Sequence, residues 1–119
     1  MIGYKIVKII DDRYYSVFVD TPDRVEYILN QAVYPAANNG PLTVFSKKKY
    51  AINWVDSWGD FLDIEPSLFK CEYELNNTSQ LFLMSKSPVT GFSMTTDKSY
   101  CPTGTVLANW VKLTRQINR

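Results

Sequence analysis

The stretch Gly40–Trp58, GPLTVFSKKKYAINWVDSW, restricts the fold more than any other part of the chain. It reads as a short strand running straight into a helix. Leu42, Val44 and Phe45 are apolar, and Ser46 is placed to cap the helix, its hydroxyl accepting from a backbone N–H that has no helical partner. Tyr50, Ala51, Trp54, Val55 and Trp58 then recur at helical spacing and make one apolar stripe. Two tryptophans and a tyrosine on one helix need a broad apolar surface against them. The rest of the chain offers that surface as strands.

Tyr4–Ile10 and Tyr14–Val19 are rich in Val, Ile, Tyr and Phe and flank Asp11-Asp12-Arg13, which predicts a β-hairpin with the acidic pair at its turn. Thr21-Pro22-Asp23 reads as a turn and Val25–Leu29 as a third strand. Asn30–Pro41 is a loop by composition. Gly59 and Pro66 mark the way out of the helix. Leu68–Leu75 is the cleanest strand: Phe69, Cys71, Tyr73 and Leu75 fall on one face, Lys70, Glu72 and Glu74 on the other. Asn76–Ser79 turns the chain and Gln80–Met84 returns as the next strand. Ser85–Pro102 is polar and broken by Pro88, Gly91 and Pro102, which suggests a binding loop or a mobile segment. Thr105–Leu113 is nearly continuous in apolar residues and suits a central strand. The expected fold is α+β: an antiparallel, strongly twisted sheet of six to seven strands with one main helix packed on it, in a single domain spanning 1–119.

Composition matters chiefly for what it excludes. Formal net charge is +1 and there is no histidine. A whole-surface basic field for duplex nucleic acid is therefore missing, as are His-dependent triads and the common zinc sites. No apolar run approaches the roughly 20 residues that span a bilayer. Lys5 and Lys8 interrupt the N-terminal apolar residues, which suits a strand and not a signal peptide. A cytoplasmic protein without membrane, metal or cofactor is the expectation. Cys71 and Cys101 are too few for a disulfide framework. Cys71 reads as a buried thiol, with a bridge between the two as the alternative.

Four groups of residues are candidates for chemistry. Ser46-Lys47-Lys48-Lys49 puts three ammonium groups at the positive end of the helix dipole, where each costs about 0.3–1 kcal/mol. A bound phosphate would reverse that sign; the alternative is a solvated lysine cluster, and the glycine spacing of a P-loop is missing. Glu72 and Glu74 form a carboxylate pair that could serve acid–base work, or simply the wet face of a sheet. Aromatic residues make up 14% of the chain, more than a small core covers completely. Tyr14, Phe18, Tyr34, Phe82, Phe92, Tyr100 and Trp110 fall where some are left for base stacking, a second covered face or an oligomer interface. Lys112, Arg115 and Arg119 add positive charge near the end of the chain, for a phosphate or only for solvent.

The order GPLTVF before a helix, then FKCEYEL, then GTVLANWVKLTR at the end resembles a set of small proteins of phages and other mobile elements. Proteins of this kind include anti-defence proteins that sequester cyclic-nucleotide or NAD-derived immune signals. The resemblance implies a phage-encoded, non-enzymatic protein acting in the host cytoplasm, and carries over no binding residue position by position.

Three readings compete. The first is a binding protein, expected to be a homo-oligomer, for a phosphorylated, base-containing ligand such as a cyclic nucleotide. In it Ser46, Lys47, Lys48, Lys49 and Arg115 hold phosphate and Phe82 or Trp110 stacks on a base. The second is a protein–protein interaction module, a phage inhibitor or accessory protein, with exposed aromatics as anchors. The third is a small enzyme using Glu72 or Glu74. No catalytic set and no metal ligands stand out, which ranks the enzyme last.

Overall fold

The computed structural model describes residues 1–17, 25–35, 41–58, 66–77, 80–83, 94–97 and 102–117. Strand β1 (Ile2–Ile10) and strand β2 (Arg13–Ser16) form the expected hairpin. Its loop is the pair Asp11 and Asp12, at φ 51° and 64°. Two consecutive left-handed residues are what a type I′ turn needs to match the twist of the flanking strands. The outer edge of β2 pairs with β3 (Glu26–Tyr27). Phe18, Val19, the Thr21-Pro22-Asp23 turn, Gly59 and Cys101 lie outside the described residues.

Strand β1 has further partners. Along one edge it pairs with β6 (Pro66–Leu75), from Ile2↔Glu72 to Lys8↔Pro66. Pro66 stands first in its strand, where its missing N–H costs least. The far edge of β6 pairs with β9 (Thr105–Gln116). In turn β9 pairs with β5 (Leu42–Phe45), and β5 returns to β1 at Tyr4↔Phe45. The ring β1–β6–β9–β5 is closed, and all four junctions are antiparallel. The β2–β3 ribbon extends from β1, and β4 (Ala32–Val33) extends from β9.

This overturns the expected α+β architecture. The described residues form nine strands and one helix, mostly β, built on a closed four-stranded barrel with extra strands. The physical reason is that alternation shows which side chains face inward but not what they face. An inward row serves equally against a covering helix or against the opposite wall of a barrel. Here the opposite wall supplies the cover: Val7, Leu42, Val44, Phe69, Cys71, Tyr73, Ala108, Val111 and Leu113 bury one another inside the ring, with Tyr27 over them. Helix α1 (Lys48–Trp58) lies outside and covers a second, smaller cluster of Ile6, Leu68, Ala51, Trp54 and Val55, flanked by Tyr4 and Phe45.

Closing so few strands requires steep winding. Four cross-strand steps lead round the barrel from Thr105 through Phe45, Tyr4 and Lys70 to Arg115, ten positions further along the same strand. At about 5 Å a step that path is ~20 Å, against ~33 Å for ten extended residues. The strand therefore tilts and coils. Two register shifts in the β6–β9 ladder, at Lys70/Cys71 and Glu74/Leu75, provide the bends. Gly3 makes room at the β1–β5 junction, where a Cβ would meet Tyr73 Cε1 at 2.8 Å and the Phe45 carbonyl at 3.0 Å.

Both edges of β6 are occupied, so the next strand does not return beside it as expected. Strand β7 (Gln80–Leu83) pairs with β8 (Met94–Asp97) in a separate two-stranded sheet. The expected loop Ser85–Pro102 thus contains a strand; apart from that strand and Pro102, its residues lie outside the described ones. The expected loop Asn30–Pro41 likewise contains β4.

The helix starts at Lys48, and the Tyr50 N–H donates to the Lys47 carbonyl at 3.2 Å, so Lys47 stands at the boundary that Ser46 was expected to cap. The Ser46 N–H instead donates to the Gly104 carbonyl at 2.9 Å. Among the described residues no helix is long and apolar enough to cross a membrane.

Candidate functional site

Residues paired across a ladder point to the same side of it. Phe69, Cys71 and Tyr73 are buried inside the barrel, so Lys70, Glu72 and Glu74 project outward. Their partners on β9 are Arg115, Lys112 and Trp110. Strict alternation along β9 would not put these three on one face. The register shift at Lys70/Cys71 does so: Trp110 and Lys112 already alternate onto one face, and Thr114, as the extra residue, turns Arg115 to the same side. Tyr4 and Ile2 of β1 continue the Lys70 and Glu72 rows on one side, and Ala32 of β4 continues the Lys112 row on the other. The result is an outward face of three cations, two carboxylates and an indole.

Its charges are engaged unequally. Lys112 Nζ lies 3.6 Å from Glu72 Oε2, with the side chains 37% and 45% exposed, a pair worth no more than about 1 kcal/mol. Glu74 accepts from Asn109 Nδ2 at 2.7 Å and from the Trp110 indole N–H at 3.4 Å. Asn76 Nδ2 donates to Asn109 Oδ1 at 2.6 Å and steadies that arrangement. Lys70 and Arg115 are directly opposite each other and have no ion-pair partner among the described residues. Like charges facing across a ladder destabilise it, and an anion between them would remove that cost. The Thr114 hydroxyl donates to the Lys70 carbonyl at 2.9 Å, holding the bulge that sets this geometry.

Of the residues expected to hold the ligand, Trp110 and Arg115 come together on this face, joined by Glu72, Glu74 and Lys112 from the other candidate groups. The group Ser46, Lys47, Lys48 and Lys49 stands elsewhere, at the helix start beside Gly104, next to the Thr105 end of β9. Lys47, Lys48 and Lys49 are exposed there, no acidic residue lies in the first helical turn, and Lys49 Nζ sits 5.2 Å from the centre of the Tyr50 ring. Phe82 belongs to β7, and its side chain, like that of Trp58, lies outside the described part of the structure. Lys70 was legible only as part of a wet face with Glu72 and Glu74. Its pairing with Arg115 depends on barrel closure, which no local pattern records.

With Glu72 held by Lys112, and Glu74 by Asn109 and Trp110, both carboxylates serve to place their neighbours on an open surface. Among the described residues no three His, Cys, Asp or Glu side chains gather where they could hold a metal ion. Cys71 is a free, buried thiol, and burial pushes its pKa up to about 12, with Lys5 opposing the shift. It is therefore protonated and inert at neutral pH. No protein-family model, no curated protein and no solved structure matches the chain.

Proposed function

We propose that the protein is a non-enzymatic binding module and that its contact face is the outer surface of β6 and β9. The ligand it suits is phosphorylated and carries an aromatic base, as a cyclic nucleotide does. The observation that carries this reading is the cation pair Lys70 opposite Arg115, which has no ion-pair partner among the described residues, on the same face as a half-buried Trp110 whose indole edge is held by Glu74. The cations would take phosphate and the indole would stack on a base. Return of such a ligand unchanged would fit the sequestering, phage-encoded role that the sequence resemblance implies.

The test is thermal melting against a panel of cyclic di- and trinucleotides, NAD-derived cyclic species and inorganic phosphate, with the ligand recovered afterwards. A compound at 100 times its Kd that binds only the folded chain stabilises it by about 2.7 kcal/mol, a shift of several degrees. Loss of the shift in Lys70→Ala and Arg115→Ala supports the face described here. Loss in Lys47→Ala to Lys49→Ala instead moves the site to the helix start. No shift with any compound rejects the nucleotide reading.

A second reading, a protein–protein interaction module, is favoured by a different observation. Ile28, Leu29 and Tyr34, in and beside the β3–β4 connection, are 48%, 43% and 62% exposed. Three large apolar side chains within seven residues form a surface suited to a protein partner or to a second copy of the chain.

A further inference from the structure

Lys5 lies on β1 between Gly3 and Val7, on the inward face, and is only 8% exposed. Its ammonium donates to the Thr43 carbonyl of β5 at 2.6 Å, with Thr43 Oγ1 at 3.4 Å, and stands 5.4 Å from the centre of the Tyr27 ring. The place it reaches is the weakest junction of the ring. The β1–β6 and β6–β9 ladders each hold seven residue pairs and β5–β9 holds four, whereas β1 and β5 share the single pair Tyr4↔Phe45. A lysine side chain thus spans the gap where backbone pairing is missing.

We infer that the β1–β5 seam is where the barrel opens, and that Lys5 is its pH-dependent latch. The protonated ammonium favours the open seam, where it reaches water, and the neutral amine favours the closed one. This inference does not depend on the proposed ligand face.

The groups that face Lys5 are Cys71 from β6, Tyr27 from β3 and Thr43 from β5; Tyr73 and the Met1 ammonium act at one remove, on Cys71. No carboxylate among the described residues offsets the charge. Burial lowers the Lys5 pKa from 10.5 to about 8, with Cys71 opposing the shift. Burial raises the Cys71 thiol to about 12, and the Tyr27 phenol further still. Below pH 9, therefore, Lys5 alone of these three titrates in the closed barrel. In the open state the amine is protonated up to pH 10.5, so the open state binds more protons and opening becomes harder as pH rises. Between pH 7 and 9 that lowers the opening constant roughly tenfold. Ionisation of Cys71 in the open state, with its ordinary pKa of 9, returns about twofold of this at pH 9.

Cys71 lies behind the seam and reports on it. In the Cys101→Ser chain it is the sole thiol, and its alkylation by iodoacetamide is followed from pH 7 to 9 at urea concentrations below the unfolding transition. Rates are divided by those of a free thiol at the same pH. The expected result is an opening constant that falls about fivefold over this range, with a urea dependence much shallower than that of global unfolding. A urea slope equal to that of global unfolding overturns the seam, and an opening constant that does not fall with pH overturns the latch. Lys5→Met should flatten the pH dependence; retention of the full fall in that variant also overturns the latch. If Lys5→Met does not fold, the two readouts in the lysine-bearing chain decide the matter.

Discussion

Replacing Gly104 by alanine should cost about 2–5 kcal/mol, a large fraction of the ~5–15 kcal/mol that stabilises a domain. Gly104 sits at φ +85° in the turn that feeds β9. The turn is closed by the Thr105 N–H donating to the Pro102 carbonyl at 3.1 Å and by the Thr105 hydroxyl donating to the same oxygen at 2.6 Å. Holding an alanine at such a φ costs about 1–2 kcal/mol. A Cβ would also lie 2.2, 2.3 and 2.6 Å from Cδ2, Cγ and Cβ of Tyr50. Normal carbon contacts are about 3.5–4.0 Å, so the ring must move, and forced repacking of this kind costs about 1–3 kcal/mol. Tyr50 belongs to the first turn of α1, and the Gly104 carbonyl accepts from Ser46 just before it. The substitution should therefore loosen the docking of the helix as well as the turn. Urea denaturation followed by circular dichroism measures the cost, and a double-mutant cycle with Tyr50→Ala divides it. In the Tyr50→Ala background the clash with the ring disappears, and the backbone part and the contact with Cβ of residue 50 remain. A Gly104→Ala protein within about 0.5 kcal/mol of wild type, or an equal cost with and without the Tyr50 ring, would refute the reasoning.

Three further outcomes are expected. Arg115→Glu places a carboxylate opposite Lys70, so it should stabilise the fold by about 0.2–1 kcal/mol in urea while abolishing the thermal shift given by an anionic ligand; destabilisation would show that the two side chains do not face each other. Tyr27 is 1% exposed and its hydroxyl has no well-aligned hydrogen-bond partner among the described residues, although nearby Ser16 partly offsets the rise in its pKa. Tyr27→Phe should accordingly change stability by less than about 1 kcal/mol, and a loss of twice that in chemical denaturation would reveal a hydrogen bond that the geometry lacks. Asp12 holds φ 64° in the two-residue hairpin loop, so Asp12→Gly should raise the urea midpoint by the equivalent of about 0.5–1 kcal/mol, and a lower midpoint would argue against the type I′ turn.

Much of the strand framework was legible in the chain. The Leu68–Leu75 alternation correctly separates Phe69, Cys71 and Tyr73 from Lys70, Glu72 and Glu74, because a strand that buries one face must alternate, but Leu75, expected with the first set, is 41% exposed at the strand's end. The hairpin at Asp11-Asp12 and the strand-to-helix order of Leu42–Trp58 were equally local. Lys5 shares its parity with Gly3 and Val7, and that parity was the available signal that it points inward. It was read only, with Lys8, as interrupting an apolar run. For the candidate face, Trp110, Lys112 and Arg115 could each be noted, but Arg115 joins the other two only through the bulge at Thr114, whose position is set by pairing with β6.

By itself the sequence determined where the longer strands and the helix lie and most of the side chains they bury, since those follow from residue type and a period of two or 3.6; the short strands β4 and β8 lie in stretches that read as loops. Only the tertiary structure decided that β1, β6, β9 and β5 close into a ring, that α1 covers a minor core and not the main one, and that Lys70 meets Arg115. Closure depends on pairing strands far apart in the chain, and each inward row is compatible with several partners. The choice belongs to the whole set of ladders at once, and no single segment contains it.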